Sequence, residues 1–403
     1  MKYFKKDYFY SLRGSFALAI MLFIVSTVLQ LIFGKINVTK LQFPISLYLF
    51  LELFFIILAL WLIFRKHAVM RWFASQWATT TAISLFLLVV TIMALTPQSS
   101  HAPAIIRALG FNAMIFSWQY AVSVAFLLFV LGFVTLRKLK PFKGRQIAFF
   151  INHFGLWLAL AAAVIGFADR KQAVMQVGVD ELVWYADEGE GDYMELPFAI
   201  KLEKFIMKFH SPRFVLFNKE GEIYDTKNYN PITIAKGKNL SYGGYDIYVH
   251  DYLEEAVAMG DNIVPMSNMP GTMVAVKVSV NGSDSAAWIA PGSYMFQGHF
   301  LQLHPDTFLT LLDPEPAYFG SDILLYTQSG IASEKHTIAV NEPLKVEGWD
   351  VYQSSYDSAM GKDSQYSVFL IVKDPWLPIV YAGIFLLIAG AIWMMFAKIK
   401  NRS

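Results

Sequence analysis

The sequence predicts a polytopic α-helical membrane protein with six transmembrane helices and a large extracytoplasmic all-β domain. Six apolar runs reach the length that a helix needs to cross a bilayer, and a polar segment separates the fifth run from the sixth. With 56% hydrophobic and 16% charged residues, the chain is also less charged than a typical soluble protein. The predicted domains are a membrane domain at 1–168, a β domain at 169–375, and a last helix with a short tail at 376–403.

The apolar runs predict helices at 14–33, 44–64, 77–96, 113–136, 147–168 and 376–397. The run 77–96 is the least hydrophobic, because several threonines interrupt it. Threonine hydroxyls bond back to helix carbonyls, so this run is still expected to span. The first run is too long for the apolar core of a signal peptide, and we interpret it as a retained span.

Lysine and arginine are concentrated at both ends of the chain and in alternate loops. The most basic loop is Arg137–Arg145, between the fourth and fifth runs, whereas the opposite short loops hold only Lys35, Lys40 and Arg107. The positive-inside rule therefore places both termini in the cytoplasm and residues 169–375 outside. This distribution predicts a multi-pass protein of the cytoplasmic (inner) membrane.

The polar segment shows strand patterns rather than helical periodicity. Val274–Val280 alternates and is followed by Asn281-Gly282, which predicts a strand entering a hairpin turn. Residues 233–252 align without gaps with residues 337–356, ending on the matched pair Tyr252 and Tyr356. The repeat predicts a duplicated β-sandwich-like unit; the alternative is convergent hairpin chemistry. We expect the aromatic-rich strands to pack the two copies together, although they would also suit a binding face.

Composition excludes several function classes. The absence of cysteine rules out disulfides, thiol redox chemistry, iron–sulfur ligation and a covalent c-type haem site on this chain. The net charge of +2, without a long basic run, gives no indication of nucleic-acid binding. No Ser-His-Asp grouping, phosphate loop or paired carboxylates stand out, so we assign no catalytic residue.

Two ionisable residues lie inside predicted spans, and such residues are functional candidates because they are costly in lipid. His153 lies in the fifth run among Phe149, Phe154 and Trp157, and Glu52 lies in the second run. His153 either ligates a cofactor or forms a hydrogen bond to a neighbouring helix. Glu52 is either a proton or cofactor contact, or an acid that is protonated or paired within the bundle.

Four stretches of the sequence are characteristic in combination. They are NHFGLWLALAAAVIGFAD (Asn152–Asp169), LPFAIKLEKFIMKFHSPRF (Leu196–Phe214), EGWDVYQSSYD (Glu347–Asp357) and VKDPWLPIVYAGIFLLIAGAIWMMF (Val372–Phe396). Together they resemble the ResB/CcsB family of cytochrome c biogenesis proteins. The resemblance covers roughly 147–397, whereas residues 1–140 are similar only as a set of spans.

The resemblance implies one subunit of the cytochrome c synthase of the system II pathway. Such a subunit helps to export or hold haem b transiently and presents it to apocytochrome c, together with a CcsA-type membrane partner. It implies that His153, the only histidine inside a predicted span, is an axial haem ligand. The loop Arg137–Arg145 either pairs with haem propionates or acts only as a topology signal. The thioether chemistry is expected mainly on the partner, so this chain would be accessory.

The chain departs from the family pattern in two ways. It has five spans ahead of the polar segment where the usual member has three, and it lacks the tryptophan-rich WWD segment that belongs to the CcsA half. A second hypothesis from another class therefore stays open. In it, the β domain is a ligand-binding or sensor module without haem, and the spans only anchor it in the membrane.

Overall fold

The computed structural model describes residues 10–139, 144–189, 191–224, 233–260, 262–267, 269–328 and 334–399. The chain forms two compact units. One unit contains the chain up to Lys171 and again from Asp374 onward, and the other contains Gln172–Lys373. The basic positions 2, 5, 6, 140, 143, 400 and 402 lie outside the described residues.

The first unit is helical. Its helices are α1 (Leu12–Phe33), α2 (Ile45–Phe64), α3 (Ala68–Phe73), α4 (Gln76–Leu95), α5 (Ala104–Ala108), α6 (Trp118–Arg137), α7 (Gly144–Gly166) and α8 (Leu377–Ile399). Among the described residues, six helices are long and apolar enough to cross a membrane, namely all except the short α3 and α5. The protein is therefore a multi-pass membrane protein, as the sequence predicts.

The start of α6 differs from the prediction at residue 113. Ala113 has non-helical angles (φ −149°, ψ 58°) within a 3-10 segment, Phe111–Phe116. Ser117 then caps α6, because its hydroxyl accepts a hydrogen bond from the Tyr120 N–H. Hydropathy extends the run across this boundary because the residues on both sides of it are apolar.

Glycines bring α7 and α8 into close contact. A Cβ atom built on Gly155 would lie 2.6 Å from the Gly383 carbonyl oxygen, and one built on Gly383 would lie 2.5 Å from the Ala159 nitrogen. A Cβ on Gly390 would collide with the backbone of Asn152, whose side-chain amide donates to the Leu387 carbonyl at 2.7 Å. Small residues permit such backbone proximity between helices in lipid.

The second unit is all-β, apart from a single 3-10 turn among its described residues. Its strands are β1 (Lys171–Gly178), β2 (Leu182–Gly189), β3 (Asp192–Phe209), β4 (Arg213–Phe217), β5 (Asn239–Tyr242), β6 (Tyr245–Met259), β7 (Asn262–Pro265), β8 (Met273–Val280), β9 (Ala287–Ile289), β10 (Leu301–His304), β11 (Thr307–Leu312), β12 (Pro316–Thr327), β13 (Glu334–Ala339), β14 (Leu344–Val346), β15 (Trp349–Tyr356) and β16 (Tyr366–Lys373). The predicted fold class, a helical membrane region with a large β domain, is confirmed.

One eight-stranded sheet curls around its own core. Its strand order is β13-β12-β3-β2-β1-β16-β15-β14. Ile338 of β13, at one edge, packs in the same buried cluster as Val346 of β14, at the other edge. The two edges therefore approach each other, and the sheet is nearly closed around side chains such as Ile200 and Phe369.

The remaining strands form a sandwich. A sheet of order β10-β11-β4 faces a five-stranded sheet in which β5-β6-β8-β9 are consecutive and β7 also pairs with β6. Their shared core includes Leu216 and Leu309 from the first sheet and Val249 and Val276 from the second. The predicted strand Val274–Val280 lies within β8 and places its alternate residues Val274, Val276 and Val278 in this core, which explains the alternation of its sequence.

The two aligned segments form hairpins with the same register. Leu240 lies opposite Ile247 in the first hairpin, and their counterparts Leu344 and Val351 lie opposite each other in the second. All four turn residues have positive φ angles: 58° at Gly243, 84° at Gly244, 49° at Glu347 and 78° at Gly348. Positive φ at both central positions is the geometry of a type I′ turn, which matches the twist of paired strands.

The similarity continues into the next strand, but the two hairpins do not share a core. Pairing is interrupted by a bulge after Val249 in β6 and after Gln353 in β15, which are matched positions. Ile247 packs in the sandwich core, whereas Val351 packs inside the curled sheet. The expectation that the copies pack against each other is therefore wrong, because each hairpin buries its apolar face within its own sheet system.

Candidate functional site

The imidazole of His153 is half-buried on α7 and is fixed by its own helix. Its Nδ1 lies 3.1 Å from the carbonyl oxygen of Phe149, one turn earlier. The two rings stack, with centroids 3.7 Å apart and an interplanar angle of 20°. Because a carbonyl oxygen only accepts, this hydrogen bond requires the proton on Nδ1, and the lone pair then remains on Nε2.

The contacts that α7 makes with its neighbouring helices explain why the His153 ring is only half-buried. One face contacts α8 through Asn152 and Gly155. Another packs against α6 and α2, where the Trp157 indole donates to the Leu128 carbonyl at 3.0 Å and packs on Phe54. Since residues one turn apart share a side of a helix, His153 lies with Phe149 on the flank between these two faces.

A basic pocket of about 410 Å³ opens at the ends of α2 and α6 and along α3. Four cationic side chains line it, from Arg65, Lys66, Arg71 and Arg137, and its apolar wall includes Trp61 and Phe133. The Arg65 guanidinium lies 5.6 Å from the centre of the Trp61 ring. No carboxylate is among the lining residues that the structure describes. An anion with an apolar body would match these surroundings.

Two residues, Lys138 and Phe149, form contacts that lead from the end of α6, where the basic pocket opens, to the imidazole. Lys138, the neighbour of Arg137, places its ammonium 5.6 Å from the centre of the Phe149 ring, which stacks on His153. Of the predicted basic loop Arg137–Arg145, Arg137 faces the pocket, and residues 140–143 lie outside the described residues. Sequence analysis did not single out Arg65 and Arg71 as site residues, because it used the lysines and arginines of these loops only to assign topology.

Glu52 is exposed on the surface of α2. It forms no hydrogen bond or ion pair with any residue that the structure describes. The helix that carries it is the most exposed of the six candidate spans, with 6% of its most apolar window buried. A carboxyl group on a lipid-facing surface is costly, so its exposure keeps Glu52 a candidate contact site.

The histidines outside the spans form no metal site in the described part of the chain. His250 lies 2.9 Å from the Ser279 hydroxyl, and His299 lies 3.3 Å from the Gly260 carbonyl. His336 approaches Glu334 at 3.3 Å across an exposed surface. These contacts indicate structural or surface roles for the three histidines.

A comparison with known families gives one match. A model of the ResB-like family matches residues 264–364, about a quarter of the 403 residues. The matched segment lies in the β domain and runs from β7 to the turn before β16. No curated protein matches this chain. The resemblance to ResB/CcsB proteins is thus confirmed, and it points to a role in cytochrome c biogenesis.

Proposed function

We propose that this ResB-like membrane protein holds haem for cytochrome c biogenesis and presents it to apocytochrome c, together with a CcsA-type partner. The observation that carries the proposal is the geometry of His153. An imidazole that donates Nδ1–H to a backbone carbonyl is oriented and has Nε2 free for iron. Its half-buried position leaves the ring accessible from the flank of α7.

The remaining residues fit the other parts of a haem molecule. The basic pocket supplies Arg65, Arg71 and Arg137 for two propionates, and guanidinium groups pair well with carboxylates. Lys138, the sequence neighbour of Arg137, contacts the Phe149 ring, which stacks on the imidazole. When bound, haem would supply the vinyl groups to which the thiols of an apocytochrome add.

The exposed position of Glu52 supports the proposal that a second membrane protein contacts α2. An exposed carboxyl group on the most exposed span is more stable against a polar or cationic side chain of a second membrane protein than against lipid. The positive charge of the loops further supports cytoplasmic termini and an extracytoplasmic β domain, since the basic pocket would then face haem made inside the cell. The β domain would meet the apocytochrome on the other side.

Replacing His153 by alanine should lower the haem that co-purifies with the protein by about tenfold or more, because the axial ligand is lost. The measurement is the Soret absorbance per protein in detergent after expression in haem-sufficient cells. His101→Ala changes an exposed loop histidine and serves as the matched control. Added imidazole should restore part of the band in His153→Ala. An unchanged Soret band in that variant would rule out His153 as the ligand.

The double change Arg65→Gln and Arg71→Gln should also reduce haem retention by about tenfold, because two charge-assisted contacts to propionates disappear. The shape of the remaining spectrum should stay the same, since the imidazole is untouched. Arg107→Gln removes an exposed arginine from the short helix α5 and should have no effect. Equal retention in the double variant and in Arg107→Gln would show that the pocket does not contact haem. A protein without haem, even with its partner present, would favour the sensor hypothesis.

A further inference from the structure

A cleft of about 680 Å³ lies in the β domain, and residues of both sheet systems line it. Tyr252 of β6 and Tyr356 of β15 are both in its wall. These two tyrosines are the last matched pair of the internal repeat, so the two copies meet at this cleft although their cores are separate. Most of the lining lies within residues 264–364, the segment that matches the ResB-like family.

Hydrogen bonds hold the walls of the cleft in place. The Lys362 ammonium, on the loop after β15, contacts the Glu255 carboxylate at 3.1 Å and the Thr272 hydroxyl at 2.5 Å. The neighbouring Asp363 carboxylate accepts from the Gly271 N–H at 2.7 Å and from the Tyr294 hydroxyl at 3.2 Å. These contacts join the curled sheet to the sandwich, so the cleft is preformed, as ligand sites usually are.

Among the described lining residues of the cleft, carboxylates outnumber ammonium groups three to two. Lys362 is already paired with a carboxylate, as described, and Lys208 lies 5.4 Å from the centre of the Tyr318 ring, without an ion pair to any residue that the structure describes. Asp313 and Glu254 form no hydrogen bond or ion pair within the described residues. Partial burial raises the pKa of the Asp313 carboxyl. A complementary ligand therefore brings a cation.

The rest of the wall is aromatic and thioether surface. Met207 and Met360 are half-buried beside the tyrosines, and Phe209 is 39% exposed. Tyr356 is held from behind by stacking on Phe205, with centroids 4.9 Å apart. Tyrosine offers a rigid apolar body with a polar tip, and methionine adapts to varied side chains. Such a surface suits the side chains of an extended polypeptide better than one fixed small molecule.

We propose that this cleft binds an extended segment of polypeptide in which a basic side chain stands next to aromatic or aliphatic ones. The basic group pairs with Asp313 and Glu254, and the apolar side chains lie between Tyr252 and Tyr356. The inference rests on the proposed function in one respect, because an apocytochrome that awaits its haem is such an unfolded polypeptide. It gives that substrate a place in the β domain.

The test uses the full-length protein in nanodiscs of neutral lipid. The probe is a short fluorescein-labelled peptide of lysine, tyrosine, serine and glycine, with a counterpart in which glutamate replaces lysine. Fluorescence anisotropy should show binding of the basic peptide only. Asp313→Lys should weaken it about tenfold, and Glu254→Lys should weaken it in the same direction. The matched control is Asp284→Lys, an exposed aspartate outside the cleft, which should bind as the unchanged protein does.

Three outcomes would overturn the inference: equal binding of both peptides, no binding of either, or equal weakening by Asp284→Lys and Asp313→Lys. A thermal melt of each variant shows that the fold is retained. The Soret band of the same preparations separates this inference from the haem proposal. If the protein carries haem but does not bind the peptide, only the inference about the cleft is contradicted. If it binds the peptide but carries no haem, the haem proposal is contradicted and the inference about the cleft is retained.

Discussion

Replacing Gly155 by leucine will prevent α7 and α8 from packing and will remove most of the folded protein. Even a Cβ atom at this position would lie 2.6 Å from the Gly383 carbonyl oxygen and would also meet the Leu387 backbone. Backbone atoms cannot rotate away, so the two helices must separate along their contact. We expect a loss of about 3 kcal/mol or more, at or above the upper end of the usual overpacking penalty.

The measurement is the thermal midpoint and the fraction of monodisperse protein on size-exclusion chromatography in mild detergent. Ala163→Leu is the matched control, because Ala163 lies on the same helix and is exposed. The control should behave as the unchanged protein does. If Gly155→Leu and Ala163→Leu melt alike, the close contact between α7 and α8 is not formed in the membrane. Haem retention should fall with Gly155→Leu, since His153 is carried by the helix that is displaced.

The sequence predicts the membrane region well because hydropathy is a local property of a long run. Five of the predicted spans agree with the observed helices within a few residues, and only the start of α6 moved, from 113 to Trp118. That start depends on a side-chain cap at Ser117, which hydropathy does not record. The β domain was predictable as a class for a similar reason, since alternation and turn residues are local.

Strand pairing depends on residues far apart in the sequence, and the prediction of how the two repeat copies pack was therefore incomplete. The matched hairpins have one register and one turn type, both set by neighbouring residues. The first hairpin joins its sheet by pairing with β8, and the second joins its sheet by pairing with β16. Neither β8 nor β16 belongs to the repeat. A repeat therefore predicts the shape of a unit without predicting what the unit packs against.

In the candidate site, too, the features that depend on neighbouring residues could be predicted and those that depend on the fold could not. His153 could be singled out because one ionisable residue in an apolar run is a strong local signal. The basic pocket joins Arg65 and Arg71 to Arg137, which lies on a different helix, so sequence analysis could not bring them together. A weak signal was present in Trp61 and Arg65, which are four residues apart and stack in the structure. The cleft between Tyr252 and Tyr356 likewise required the three-dimensional fold.

Asp169→Asn should destabilise the membrane unit strongly, because this carboxylate ties three helices together. Its Oδ1 accepts from the Phe43 N–H at 2.6 Å, just before α2. Its Oδ2 accepts from the Ser46 hydroxyl at 2.6 Å and from the Trp376 indole N–H at 2.5 Å. Asparagine replaces one of these oxygens by a donor, which leaves N–H and O–H groups facing each other. We expect a loss of about 3 kcal/mol, measured as the thermal midpoint in detergent.

A double-mutant cycle isolates this contact. Trp376→Phe removes one donor and keeps the aromatic packing on Phe50, so the double variant with Asp169→Asn should lose less stability than the two single changes added together. Asp180→Asn is the control, because Asp180 pairs with Lys201 at 2.9 Å on an exposed surface where such pairs contribute little. Simple additivity in the cycle would show that Asp169 and Trp376 do not interact. A positive coupling would show that this contact joins the end of α7 to the start of α8.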